Sequence, residues 1–164
     1  SIGRTWQCGT IQLDMQLPER FELEYTDKDG TKKRPIMIHR VCFGSIERFI
    51  GILIEHFAGM FPTWLAPVQV KVLPISEKFT DYAKSVKEQL DMAGIRTEID
   101  NRDEKIGYKI REARNERVPY MIVVGEKDME ANKVSLRSRA NGEEGQFDLA
   151  DVIERVTKEI KERA

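Results

Sequence analysis

The sequence predicts an α/β protein in two parts, and three observations carry that reading. Residues 1–66 show period-two apolar patterning broken by turn residues and closed by one apolar helical stripe. Residues 67–164 alternate strand and helix with short joins. A stiff stretch bracketed by prolines, residues 61–67, lies at the boundary. An antiparallel sheet should therefore open the chain, and a sheet covered by helices should follow.

Residues 6–15 alternate, with Ile11, Leu13 and Met15 on one face and Cys8, Thr10, Gln12 and Asp14 on the other. That is strand patterning. The second face carries short hydrogen-bonding groups and neither Lys nor Glu, which suits a strand lining a site or a polar strand facing solvent. Residues 21–25 give a second short strand. Asp27-Lys28-Asp29-Gly30 is a hairpin loop in which Gly30 supplies a positive φ. Residues 34–40 return as a strand, with Pro35 near the start, where a missing donor is tolerated. These forty residues read as an antiparallel meander. Gly44-Ser45 then opens a helix, with Ser45 suited to the N-cap. Ile46, Phe49, Ile50, Leu53, Ile54 and Phe57 form its apolar stripe, and Gly59 ends it.

Past the prolines, strands are expected over residues 68–73, 95–100, 120–124 and 134–139. Helices are expected over residues 77–93 (capped by Ser76, ended by Gly94), 104–116 and 149–163 (capped by Asp148).

Composition excludes several classes. The chain has 164 residues, with 40% hydrophobic and 34% charged, which is neither disordered nor membrane composition. No apolar run approaches the ~20 residues of a membrane-spanning helix. Net charge is −1, so a histone-like basic field is excluded, although a local basic patch is not. Cys8 and Cys42 are too few for a disulfide scaffold and read as reduced thiols of a cytoplasmic protein. The chain opens at Ser1-Ile2-Gly3 without a methionine and runs at once into strand-like sequence, which reads as a cut.

Two residues near the first strand-to-helix turn could carry chemistry. His39 lies on the face opposite Ile36 and Ile38. A lone histidine beside apolar residues is more often structural than a ligand. Cys8, Cys42 and His56 match no zinc spacing with it. Arg48 stands one turn into an apolar helix. It is either a solvated charge or a guanidinium aimed at phosphate, whose oxygens match its fixed donors.

The stretch His39-Arg40-Val41-Cys42-Phe43-Gly44-Ser45-Ile46-Glu47-Arg48-Phe49 resembles the third signature motif of class II aminoacyl-tRNA synthetases, in detail the branch that acts on threonine. Trp6-Gln7-Cys8-Gly9-Thr10-Ile11-Gln12 resembles that branch's strand between the second and third motifs. Residues 61–70 resemble its junction with an anticodon-binding domain, and residues 101–112 that domain's signature stretch. The resemblance implies a partial antiparallel class II catalytic sheet in residues 1–66. Residues 67–164 would then be an anticodon-binding domain, a mixed sheet flanked by about three helices.

The resemblance also implies roles. Arg48 would hold ATP phosphates, with magnesium as their companion ion. Gln7 and Ser45 would line the adenylate pocket, and Thr10 and Gln12 the threonine site. His39 would be one of three zinc ligands. The other two ligands and the first two class II motifs have no counterpart in this sequence, so the chain alone should not make an adenylate. Asp103, Arg117, Asp128 and Arg137 would contact anticodon bases of a tRNA, and the intact enzyme would be a homodimer. Charge is compatible with RNA: residues 102–117 carry six basic side chains against four acidic, and residues 127–139 four against two. A non-catalytic RNA-binding or regulatory protein built on the same module is the competing class, and a generic α/β domain without an RNA partner is a third.

Overall fold

A computed structural model describes residues 3–163. Ser1 and Ile2, on which the reading of a cut start rests, lie outside the described residues. The chain forms two compact units, residues 1–57 and 58–164.

In the first unit, the strand expected over residues 6–15 narrows to β1 (Thr10–Asp14). Asp14 ends it. Its Oδ1 accepts the backbone N–H groups of Gln16 (2.9 Å) and Leu17 (3.0 Å), an Asx turn that starts a short helix, α1 (Gln16–Arg20). Alternation alone gave no sign of this helix. The expected strand at residues 21–25 contracts to β2 (Tyr25–Thr26), which pairs with β3 (Lys32–Lys33) across the Asp27–Gly30 loop. Gly30 takes φ +79° there, as the turn requires.

The returning strand, β4 (Met37–Val41), pairs antiparallel with β1 and not with β2. The meander expected from sequence is therefore two separate two-stranded ribbons. Pro35, which has no N–H to give a ladder, lies between β3 and β4. Helix α2 (Ile46–Phe57) begins as expected, with Ser45 Oγ accepting the Arg48 N–H at 3.3 Å. Pro18 is the only buried residue among the described residues of this unit, and Ile11, Leu13, Ile38, Ile46, Ile50 and Ile54 are exposed.

The second unit holds a five-stranded mixed sheet. Its strands are β5 (Val70–Pro74), β6 (Thr97–Ile99), β7 (Tyr120–Val124), β8 (Val134–Ser138) and β9 (Gly142–Phe147), in the order β6-β5-β7-β8-β9. β5 runs parallel to β6 and β7, whereas β7–β8 and β8–β9 are antiparallel. The helices are α3 (Thr80–Met92), which follows a 3-10 turn at Glu77–Phe79, then α4 (Ile106–Asn115), α5 (Glu126–Ala131) and α6 (Leu149–Glu162). Ser76 and Asp148 occupy the expected N-cap positions but make no side-chain cap. The Asp148 carboxylate instead lies 3.7 Å from Lys133 Nζ.

In this unit two elements escaped the sequence reading. α5 is short and highly charged. β9 is Gly-Glu-Glu-Gly-Gln-Phe, poor in strand formers, with Phe147 as its apolar anchor. A bulge in β9 sets Leu136 opposite Gly145 and Arg137 opposite Glu143, skipping Glu144. Gly145 takes φ +106°, open to glycine and strained for other residues.

The sheet has two unlike faces. On one, Val70, Val72, Ile122, Val124, Val134 and Leu136 pack against Ala83, Val86 and Leu90 of α3 and Val152 and Val156 of α6. On the other, Leu73, Met121 and Val123 meet Ile106, Ile110 and Ala113 of α4. The apolar cluster under α4 draws its strand residues from β5 and β7, and α3 and α6 pack on the opposite face, so neither core cluster sets a long helix on the α4 side of β8 and β9 among the described residues. The proline-bracketed stretch belongs with this unit. Arg96 donates to the carbonyls of Trp64, Ala66 and Pro67, Gln69 Nε2 donates to the Thr63 carbonyl, and Arg139 donates to the Phe61 carbonyl.

One ion pair gives this unit a pH dependence. Asp100 is buried at the end of β6, and the Arg102 guanidinium grips both its oxygens (2.9 and 2.7 Å). The Arg102 hydrogen bonds, ahead of burial that opposes them, hold the Asp100 carboxyl below its ordinary 3.8. Its stabilisation is therefore complete above the unfolded value and is lost as pH falls through the folded one. Urea midpoints of the wild type and Asp100→Asn should differ at neutral pH, with the wild type higher. They should converge as pH drops below about 4.

Candidate functional site

The first unit assembles most of its expected site on one ribbon. Antiparallel pairing sets Thr10 opposite Val41, Gln12 opposite His39 and Asp14 opposite Met37, so Thr10, Gln12, Asp14 and His39 share a face. Gln7 joins them, its Nε2 donating to Thr10 Oγ1 at 3.1 Å. His39 Nε2 lies 3.0 Å from Asp14 Oδ2. The Asp14 carboxyl is held below its ordinary range, first by the Leu17 N–H and then by His39.

Among the described residues no group of three or more His, Cys, Asp or Glu side chains could hold a metal ion. The residues of this chain alone do not fit a zinc site. His39 has Asp14 beside it, which makes two candidate donors where zinc takes three or four protein ligands.

Ser45 and Arg48 sit at the start of α2. Ser45 Oγ donates to Glu47 (2.8 Å) while capping the helix. The Arg48 guanidinium folds back over the turn, with one terminal nitrogen 3.1 Å from where a side chain on Gly44 would begin. Gly44 has φ +66°, so both backbone conformation and space at this turn favour glycine.

In the second unit, the four expected residues fall at different places. Asp103 is exposed in the loop after β6. Arg117, also exposed, follows α4 with φ +62°, at the end of the sheet where β7 begins and opposite the end near Asp103. Its carbonyl accepts from Arg139 at 2.9 Å.

Asp128 is buried at the start of α5, past the end of β7. Its Oδ2 accepts the Gly125 N–H at 3.0 Å, and its Oδ1 accepts from Ser135 Oγ (2.7 Å) and Gln146 Nε2 (2.9 Å). Arg137 projects from the α4 side of β8. One terminal nitrogen meets Glu143 at 2.7 Å, and Nε is buried without a hydrogen-bond partner among the described residues.

The structure thus brings Asp128 and Arg137 to one surface, the open α4 side of β8 and β9, together with Ser135 and Gln146. It does not bring Arg117 there. Sequence reasoning missed Gln146 because it missed β9. The signal that would have found it is Phe147, whose side chain packs in the core and so fixes the outward side of the residue before it.

The basic count also changes meaning. Lys109 is buried, donating to the carbonyls of Pro74 (3.0 Å) and Asp100 (3.1 Å). Arg102 is committed to Asp100, which leaves Lys105, Arg111, Arg114 and Arg117 as the exposed cations of that stretch.

Comparison with known proteins agrees with this division. The family model "Anticodon binding domain" matches residues 69–159, and the model "tRNA synthetase class II core domain (G, H, P, S and T)" matches residues 1–57. The chain belongs to the anticodon binding domain family and carries class II core sequence ahead of that domain.

The curated relatives it matches are named threonine–tRNA ligases. The chain is 65% identical to that of Caldanaerobacter subterraneus subsp. tengcongensis over 164 residues, covering 100% of this chain and 26% of that protein. It is 64% identical to that of Clostridioides difficile over 162 residues, covering 99% and 25%. Among solved structures, the RNA binding domain of threonyl-tRNA synthetase from Cryptosporidium parvum Iowa II superposes with TM-score 0.82 at 42% identity, covering 96% of this chain and 40% of that one. The chain spans about a quarter of the length of the curated relatives it matches. No described helix is long and apolar enough to cross a membrane.

Proposed function

We propose that this chain is the C-terminal part of a threonyl-tRNA synthetase and that its second unit binds the anticodon loop of threonine tRNA. The whole enzyme joins threonine to its tRNA with ATP, through a threonyl-adenylate, releasing AMP and pyrophosphate. Residues 1–66 contribute the closing part of the catalytic domain and residues 67–164 the anticodon-binding domain. In the catalytic part, Arg48 binds ATP phosphates and offsets the charge that develops as pyrophosphate leaves. Gln7 and Ser45 contact the nucleotide, and Thr10 and Gln12 face threonine. The exposed isoleucines of β1, β4 and α2 suit a surface that the remainder of a class II core covers in a dimeric, cytoplasmic enzyme.

The observation that carries the RNA reading is the open polar face of β8 and β9. Reading RNA in sequence requires side chains that can reach unstacked loop bases through their edges. Arg137 offers a fork of donors there. Asp103, beyond β6, and Arg117, at the other end of the sheet, extend the contact. A purely regulatory RNA binder is less economical, because it has no use for Gln7, Thr10, Gln12 and Arg48 on adjoining elements.

The test is a titration at fixed salt of threonine tRNA against the same tRNA with its anticodon replaced. Tighter binding of the former, by about tenfold or more, is expected, since each mismatched contact costs roughly 1–3 kcal/mol. Equal binding of the two would overturn the proposal.

A further inference from the structure

Asp128 and Gln146 together point to a reading residue that no similarity assigns. Asp128 is 6% exposed, and its two oxygens already accept hydrogen bonds from Gly125, Ser135 and Gln146. A carboxylate so buried and so held is turned toward its own protein partners. Gln146 has the reverse character. It is exposed on β9, directly opposite Ser135, and one N–H of its amide is fixed by Asp128 Oδ1.

That single bond sets the plane of the amide. Its Oε1 acceptor and second N–H have no hydrogen-bond partner among the described residues, and Gln146 stands on the face that Arg137 shares, because Ser135 and Arg137 are alternate residues of β8. A fixed amide with one free acceptor and one free donor is the group that pairs with two adjacent edge positions of a base, as Asn and Gln do with adenine. Such contacts suit the splayed bases of a single-stranded loop.

We propose that Gln146 reads one base of the anticodon loop and that Asp128 is the positioning residue that aims its amide. The proposal deepens the anticodon reading above and rests on it. The recognised group is a single unstacked base, held by two hydrogen bonds to the Gln146 amide, with Arg137 as its neighbour on the sheet. At that base Asp128 acts through Gln146, by the hydrogen bond that holds the amide.

The experiment uses the full chain, an anticodon stem-loop of threonine tRNA, and stem-loops in which each anticodon position is replaced in turn, all at one salt concentration. The Gln146→Ala chain should bind the cognate loop about 10- to 100-fold more weakly. It should stop distinguishing one position while still distinguishing the others. Its salt dependence should be unchanged, because no phosphate contact is removed. Its melting temperature should fall only slightly, through the loss of one hydrogen bond to Asp128, and the variant should remain folded in the titration.

Asp128→Ala should lose discrimination at the same position, and the Gln146→Ala/Asp128→Ala double variant should lose no more than Gln146→Ala alone. Wild-type affinity and ranking in Gln146→Ala would overturn the role of Gln146. Additive losses in the double variant would overturn the positioning role of Asp128. If the wild-type chain distinguishes none of the loops, the anticodon reading itself fails, a result visible before any variant is made.

Discussion

Arg137→Ala should weaken binding of the cognate anticodon stem-loop by about 1–3 kcal/mol, the range for a good bidentate base contact. Three features place the effect at Arg137. It lies on the face of the sheet that no long helix covers, one of its terminal nitrogens is oriented by Glu143, and its Nε has no protein partner among the described residues. The Glu143 pair is exposed on the Glu143 side, so it costs little to exchange for RNA. Arg137→Lys should recover little of the loss, because an ammonium keeps the charge but not the fork. Isothermal titration of the three chains at one salt concentration checks this. Binding restored by lysine would reduce Arg137 to a general phosphate contact.

Leu90→Ala should destabilise the second unit by about 2–5 kcal/mol. Leu90 is fully buried on α3 among Val70, Val72, Ile122 and Val156, so truncation leaves a cavity in the larger of the two core clusters. That cluster lies on the face of the sheet opposite Arg137 and Gln146. The variant should therefore melt earlier yet bind the stem-loop with unchanged affinity at temperatures where it is still folded. Chemical denaturation combined with titration at low temperature measures both. A large loss of affinity in the folded variant would mean that RNA contacts the α3 and α6 side.

How much of this was legible in sequence depended on where each signal lay. β7 and the amphipathic helices α3, α4 and α6 were visible, because apolar period and burial coincide in them. α2 was visible from its stripe, although its isoleucines are exposed in this chain. The β1–β4 ribbon was half visible. Alternation gave the strands, but pairing is a tertiary choice, and Pro35 and the Asp14 turn decided it. β9 was hidden, because a strand built from glycine and glutamate is held by its neighbour β8 and by Phe147, not by its own propensity.

The same limit applied to the site. Residue types at Asp103, Arg117, Asp128 and Arg137 were readable by resemblance, but their exposure was not. Asp128 turned inward because the Gly125 N–H and the side chains of Ser135 and Gln146 meet its carboxylate. Lys109 was counted as a surface charge and proved to be an internal strap between the ends of β5 and β6.

The claim on which the account turns is that RNA lies on the α4 side of β8 and β9. Amide-resolved NMR of the full chain, titrated with a threonine anticodon stem-loop, tests it most directly. The account predicts that the largest shifts fall at Ser135, Arg137, Glu143 and Gln146, with smaller ones near Asp103 and Arg117. α3 and the outer surface of α6 should stay unmoved. Shifts concentrated on α3 and α6, or no shifts at saturating RNA, would contradict it.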